Sequence, residues 1–136
     1  VTRWDDPATP DTSEFDWEGW WGFRPLALFT DTADSTDLHP GVKAHVFAAT
    51  RRWMDPDADG DPADGIAGWR LDVAEEVPVG FWRDWNALVR EINPDAYTVA
   101  EVWADAAHYI DEAGFSATMN YHAFAIPVHD ALADRR

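Results

Sequence analysis

The sequence predicts an α/β architecture with a parallel sheet: a partial (β/α)8 TIM barrel, roughly strands four to six with their flanking helices. Three observations predict it. Helix-patterned and strand-patterned segments alternate along most of the chain. Two short apolar runs each close on a carboxylate, Asp72 and Glu101, 29 residues apart, which is the length of one βαβ unit. The chain has 136 residues, whereas a barrel of this kind takes about 250. Residues 1–136 are therefore read as an internal fragment of one barrel domain.

The elements follow in order. Residues 1–19 are rich in Asp, Pro and Thr and read as an irregular loop. Gly19-Trp20-Trp21-Gly22-Phe23 is too aromatic to be simply solvated, and residues 1–38 together are expected to be a loop or insertion preceding a barrel helix. His39-Pro40-Gly41 opens that helix, with Pro40 suited to the first turn. Val42, Val46, Phe47, Thr50 and Trp53 recur at helical spacing and give it one buried face. Asp55-Pro56 ends it, and an acidic, turn-rich loop over 55–65 leads to a strand over 66–73. Phe81, Trp82, Trp85, Leu88, Val89 and Ile92 form a second amphipathic helix, stopped by Asn93-Pro94. A strand over 96–102, a short helix over 106–113, a third strand over 115–121 and a last helix over 126–133 complete the reading.

Composition sets the outer limits. Hydrophobic residues make up 46% of the chain and tryptophan alone numbers nine, which excludes a disordered class. About two thirds of the indoles are expected in the core, and the rest are free to stack on the apolar faces of sugar rings. The formal net charge is −16, with a single lysine, Lys43. Such a surface repels phosphates, so nucleic acid and anionic membrane are excluded as partners. The excess of Asp over bases that are nearly all Arg has two readings of equal weight: adaptation to high salt, where screening removes self-repulsion, or a GC-rich coding sequence. There is no cysteine and therefore no thiolate chemistry. No run of 18 apolar residues suggests a membrane span, and no basic segment followed by an apolar one marks a leader, so a soluble and rather cytoplasmic than secreted protein is expected. Oligomeric state has no reading from the residues.

The chemistry rests on Gly68-Trp69-Arg70-Leu71-Asp72-Val73-Ala74 and Ala100-Glu101-Val102-Trp103. Side chains alternate along a strand, so Arg70 and Asp72 point the same way. A neighbouring cation favours the ionised carboxylate, the state a nucleophile needs. Glu101 lies between Val99 and Trp103 on its own face, and an apolar surround favours the protonated form that a general acid must keep. Strands lie about 4.8 Å apart, which brings two strand-end carboxyls near the ~5–5.5 Å of retaining glycosidases. On spacing alone, a turn-capping Asp72 and a surface ion pair at Glu101 are an equal alternative.

Those two segments resemble the second and third conserved regions of the α-amylase superfamily. Trp20-Trp21-Gly22-Phe23, Asp37-Leu38-His39-Pro40-Gly41-Val42, Arg52-Trp53-Met54-Asp55-Pro56, Phe81-Trp82-Arg83, Ile92-Asn93-Pro94 and Met119-Asn120-Tyr121 are similar to the neopullulanase, cyclomaltodextrinase and maltogenic amylase group. The resemblance implies a retaining α-glucan hydrolase with Asp72 as nucleophile, Glu101 as general acid/base and Arg70 orienting Asp72. It further implies Trp103 stacked on the leaving-group sugar, and Glu75 and Glu76 binding substrate where starch-cleaving enzymes carry Lys-His. An α-glucan oligosaccharide, short or cyclic, is the implied partner. A transglycosylase of the same family, or a non-catalytic sugar-binding or structural relative, is the alternative. The family's first region and its fourth, an Asn-His-Asp, are absent. His129-Asp130 follows Asn120 too closely for a helix and a further strand to intervene, and is a poor substitute. Arg24-Pro25-Leu26-Ala27-Leu28-Phe29 departs from the Leu-Pro-x-Leu-Asn common in the group.

No metal or other cofactor is expected. Asp55-Pro56-Asp57-Ala58-Asp59-Gly60 mimics the opening of an EF-hand, but Ile66 stands at the twelfth position, where a bidentate Glu is required. A loose calcium loop over 55–64 is the open alternative, and an acidic solvated turn is favoured. His39, His45, His108, His122 and His129 are dispersed without zinc spacing.

Overall fold

The computed structural model describes residues 8–11 and 16–133; the irregular loop expected over 1–19 lies largely outside them. Helix α1 spans Pro40–Met54, strand β1 Gly68–Leu71, helix α2 Val79–Ile92, strand β2 Tyr97–Ala100, helix α3 Ala107–Asp111, strand β3 Ala117–Thr118 and helix α4 Ile126–Ala133. Short 3-10 turns at Trp20–Gly22, Pro62–Asp64 and Ala74–Glu76 and a π turn at Tyr121–Ala125 fill the connections. The three strands form one parallel sheet in the order β1-β2-β3, the arrangement expected of consecutive βαβ units. Gly68 pairs with Tyr97 and Leu71 with Ala100; Val99 pairs with Ala117. Gly68 is required where it stands, because a Cβ there would lie 2.3 Å from the Tyr97 carbonyl oxygen.

Each strand is shorter than its apolar run. Main-chain hydrogen bonds run one step beyond the paired residues, from the Tyr97 N–H to the Ala67 carbonyl and from the Met119 N–H to the Ala100 carbonyl, and the left-handed Val73 ends the extended run after β1. The helices match the sequence pattern closely. His39 Nδ1 accepts from the Gly41 N–H (3.1 Å), capping the turn that Pro40 begins.

The core lies between α2 and the sheet. Phe81, Trp82, Trp85, Leu88 and Val89 are buried, and Ile92 is half-buried. Trp82 meets Phe81 and Phe115 edge-on at 5.0 and 5.4 Å between centroids, the geometry that the ring quadrupole favours. Buried Asn86 and Thr98 are paired: Asn86 Nδ2 donates to the Trp82 and Ala113 carbonyls, and its Oδ1 accepts from Thr98 Oγ1 at 2.9 Å. Trp85 Nε1 donates to Thr50 Oγ1 (2.8 Å), tying α2 to α1. Lys43 joins the same helices from the surface, donating to Asp37 (2.5 Å) and Asp84 (2.6 Å). Burial works against its charge, but those hydrogen bonds outweigh it and hold the ammonium above its usual range.

Two expectations are corrected. Trp53 is 61% exposed, and Met54 is completely buried in its place. Val46, Thr50 and Met54 follow one another four residues apart down a single line of the helix, and Trp53 falls off that line. The indoles are also more exposed than expected: Trp82 and Trp85 are buried, whereas Trp21, Trp53 and Trp103 are well exposed. Strands of four, four and two residues offer too little area to cover eight described indoles. No helix among the described residues is long and apolar enough to cross a membrane.

This packing predicts unequal effects for neighbouring substitutions. Met54→Ala should lower unfolding free energy by about 2–5 kcal/mol through lost burial and a cavity, and Trp53→Ala by no more than about 0.5 kcal/mol. Urea denaturation of both variants decides it; equal losses would contradict the assignment of the buried face.

Candidate active site

Asp72 and Glu101 are the first residues beyond the paired ends of β1 and β2, and since the strands are parallel they stand at the same sheet edge. The ladder extends one step further, with the Glu101 N–H donating to the Leu71 carbonyl (2.9 Å). Arg70, on β1, reaches both carboxylates: Nη1 pairs with Asp72 Oδ1, and Nη2 lies 2.8 Å from Glu101 Oε1. The acids therefore sit one guanidinium apart. Their exposures differ sharply, with Asp72 open to solvent and Glu101 only 7% exposed. Arg70 is held above its ordinary range, first by the hydrogen bond to Asp72 and then by the charges of Glu101 and Asp72, against opposing desolvation.

Glu101 is not in the apolar setting expected. Its Oε1 forms the ion pair with Arg70 and accepts from Tyr121 Oη (3.3 Å), and its Oε2 accepts from the Val73 N–H (3.0 Å). A buried carboxylate is tolerable only with such partners, and here one cation and two donors come from three different segments. Burial, followed by the charge of Glu101 and the hydrogen bond to it, raises the Tyr121 phenol above its usual range.

Trp103 is 54% exposed and not a core indole. Its ring stacks on Tyr121 with centroids 4.0 Å apart and planes within 4°. Glu75 Oε2 accepts from the Trp103 N–H (3.3 Å), while exposed Glu76 helps to line an apolar cleft of about 410 Å³ with Trp20, Leu26, Phe29, Leu38 and Val77. The structure thus brings Arg70, Asp72, Glu101, Trp103 and Glu75 together and sets Glu76 at a neighbouring cleft. Sequence reasoning missed the contacts of Tyr121 and Val73 with Glu101. Tyr121 stood only in a family-like motif, and a main-chain donor leaves no trace in residue type. His129 and Asp130 pair with each other (3.3 Å) on exposed α4.

In the acidic loop, ligand oxygens of Asp55, Asp57 and Asp64 lie within 4.8 Å of one another. Desolvation first, then the charges of Asp57, Asp55 and Asp59, raise the Asp64 carboxyl. Several of these oxygens already serve the turn: Asp55 Oδ2 accepts from Gly60, Asp57 Oδ1 from Asp59 and Asp59 Oδ1 from Asp61. Asp55 Oδ1 is enclosed without a hydrogen-bond partner.

An acidic pair at the carboxyl ends of parallel strands is the arrangement that α/β enzymes use for their active sites and glycosidases for bond cleavage. Comparison with known proteins gives that class its relatives. Neopullulanase 2 of Thermoactinomyces vulgaris is 43% identical over 83 residues, 61% of this chain and 13% of the relative. A cyclomaltodextrinase of a Bacillus species is 41% identical over 99 residues, 73% of this chain and 16% of the relative. A solved cyclomaltodextrinase structure superposes with a TM-score of 0.63 at 35% identity, covering 87% of this chain and 17% of that one. The matched stretch is similar to members of the neopullulanase, cyclomaltodextrinase and maltogenic amylase group. No family model matches the chain. It spans less than a fifth of the length of these relatives.

The site predicts a displaced titration. In protein carrying 13C-labelled tyrosine, the Tyr121 phenol should titrate above the ordinary value of about 10. Glu101→Gln should move it part of the way down, because burial is the larger cause and persists. A Tyr121 titrating at or below the ordinary value, or unmoved by the substitution, would contradict the contact.

Proposed function

We propose that this chain is the part of a retaining α-glucan hydrolase that carries its nucleophile and its acid/base, acting on α-glucosidic bonds of short or cyclic maltooligosaccharides. The observation that carries the reading is the single guanidinium joining Asp72 and Glu101 at one sheet edge. Asp72, paired with Arg70 and open to solvent, attacks the anomeric carbon. Glu101 gives a proton to the glycosidic oxygen as the C–O bond breaks. A covalent glycosyl ester on Asp72 results, and water, deprotonated by Glu101, displaces it with overall retention. The narrow separation that one guanidinium imposes supports this course over inversion, which needs room for a water between the carboxyls.

Residues 1–136 are taken as strands four to six of a (β/α)8 catalytic domain, with 1–38 a loop or insertion ahead of α1. The names of the relatives, cyclomaltodextrinase and neopullulanase, support the substrate class. Trp103, backed by Tyr121, offers a flat platform beside Glu101 for the leaving-group sugar. The same platform could hold an acceptor sugar in place of water, which favours transglycosylation as the second reading. A purely structural relative would have no use for a buried carboxylate tied to an exposed one. The isolated segment is proposed to be inactive, since the family's first and fourth regions lie outside it. No metal enters these steps.

In the full-length polypeptide, Asp72→Asn should lower kcat on maltooligosaccharides by about 10³-fold or more, because shape is kept and the nucleophilic charge is lost. Glucan affinity measured by calorimetry should change little. Near wild-type kcat in that variant would remove Asp72 from the reaction.

A further inference from the structure

Val73, directly after Asp72, has φ 43° and ψ 51°, in the left-handed region. Of the four non-glycine residues with positive φ among the described residues, Trp21, Ser35, Ala58 and Val73, it is the only β-branched one. Such a conformation is strained and persists only where the surroundings over-determine it, and such residues gather at functional sites.

The surroundings supply that determination. The Val73 N–H donates to Glu101 Oε2 (3.0 Å), and the next N–H, of Ala74, donates to the Glu101 carbonyl (2.9 Å). Along extended backbone, successive N–H groups point to opposite sides; a left-handed residue turns both to one side and makes a small concave donor pair. The turn is held from behind. Ala74 is completely buried, its carbonyl accepts from Trp82 Nε1 (2.8 Å), and the Glu76 N–H closes on the Val73 carbonyl (3.0 Å).

The neighbours of Glu101 give its two oxygens different roles. A carboxylate oxygen has about two acceptor positions. Oε1 accepts from Tyr121 Oη at 3.3 Å and faces the Arg70 cation as an ion pair, with Nη2 at 2.8 Å. Oε2 receives only the Val73 N–H among the described residues and keeps one position open. A cation beside one oxygen holds the negative charge there and disfavours a proton on it, so the transferable proton sits on the other oxygen. We propose that Oε2 of Glu101 is the oxygen that carries the catalytic proton, and that Val73 is the positioning residue that aims it. This rests on Glu101 acting as acid/base. In the first step the Oε2–H bond breaks, an O–H bond forms on the glycosidic oxygen, and the pair of the C–O bond leaves with that oxygen. In the second, Oε2 takes a proton from the water whose oxygen replaces Asp72.

The test removes the N–H alone. In the full-length polypeptide, Val73 is replaced by its α-hydroxy acid analogue, which turns the 72–73 amide into an ester. Values of kcat/KM are compared for maltotriose, whose leaving sugar needs the proton, and α-maltosyl fluoride, whose leaving group does not. The expected result is a fall of about tenfold or more for maltotriose with the fluoride within about threefold, since general-acid assistance matters only for the poor leaving group. Equal falls would mean a merely structural role, and no change would mean no role; either overturns the proposal. A second readout does not depend on the ester protein folding. With 15N-valine labelling, the Val73 amide proton should resonate downfield and move upfield in Glu101→Ala, and an unmoved resonance overturns the proposal as well. Glu101→Gln tests the underlying reading separately. If that variant keeps wild-type turnover of maltotriose, Glu101 is not the acid, whatever the Val73 comparison gives.

Discussion

Arg70 is the group on which the rest of this site depends. A guanidinium presents donors in a planar fork, so one side chain can satisfy two carboxylates at a set separation and angle, which an ammonium cannot do. Here one arm of the fork meets exposed Asp72 and the other meets buried Glu101. Without a cation between them, two acids at one sheet edge would repel, and the buried one would face a large desolvation cost. The parallel register that places Leu71 opposite Ala100 is what brings both acids within reach of that fork.

The supports of this arrangement lie further out in the fold. Trp82, a core residue of α2, reaches back with its indole N–H to hold the turn that follows β1. The Asn86–Thr98 contact fixes the same helix against β2, the strand that ends at Glu101. Helix packing thus sets the position of both strand ends, and side chains far from the acids govern how closely they meet. Tyr121 comes from the turn after β3 and completes the enclosure of Glu101 while backing Trp103. A substitution in α2 should therefore disturb the site as well as stability.

Much of this was legible in the sequence. The helical spacing of Phe81, Trp82, Trp85, Leu88 and Val89 fixed one buried face, and the Arg-x-Asp alternation placed Arg70 beside Asp72. Apolar runs ending in a carboxylate located the sheet edge. The environment of Glu101 was not legible. Its flanking Val99 and Trp103 suggested an apolar pocket, but the groups that meet its carboxyl come from Arg70, Val73 and Tyr121, distant in sequence and one of them a main-chain N–H. Trp53 misled for a different reason: a large aromatic at near-helical spacing competes with its neighbour Met54 for one inward line, and composition cannot tell which wins.

The central claim is that Asp72 forms a covalent bond to the sugar. Incubating the full-length polypeptide with a fluorinated α-glucosyl fluoride that slows release of the intermediate, followed by proteolysis and mass spectrometry, tests it most directly. The account predicts one adduct, on the peptide that begins after Arg70, with fragment ions placing the added mass on Asp72. An adduct on another carboxylate, or no adduct together with a product of inverted anomeric configuration, would contradict it.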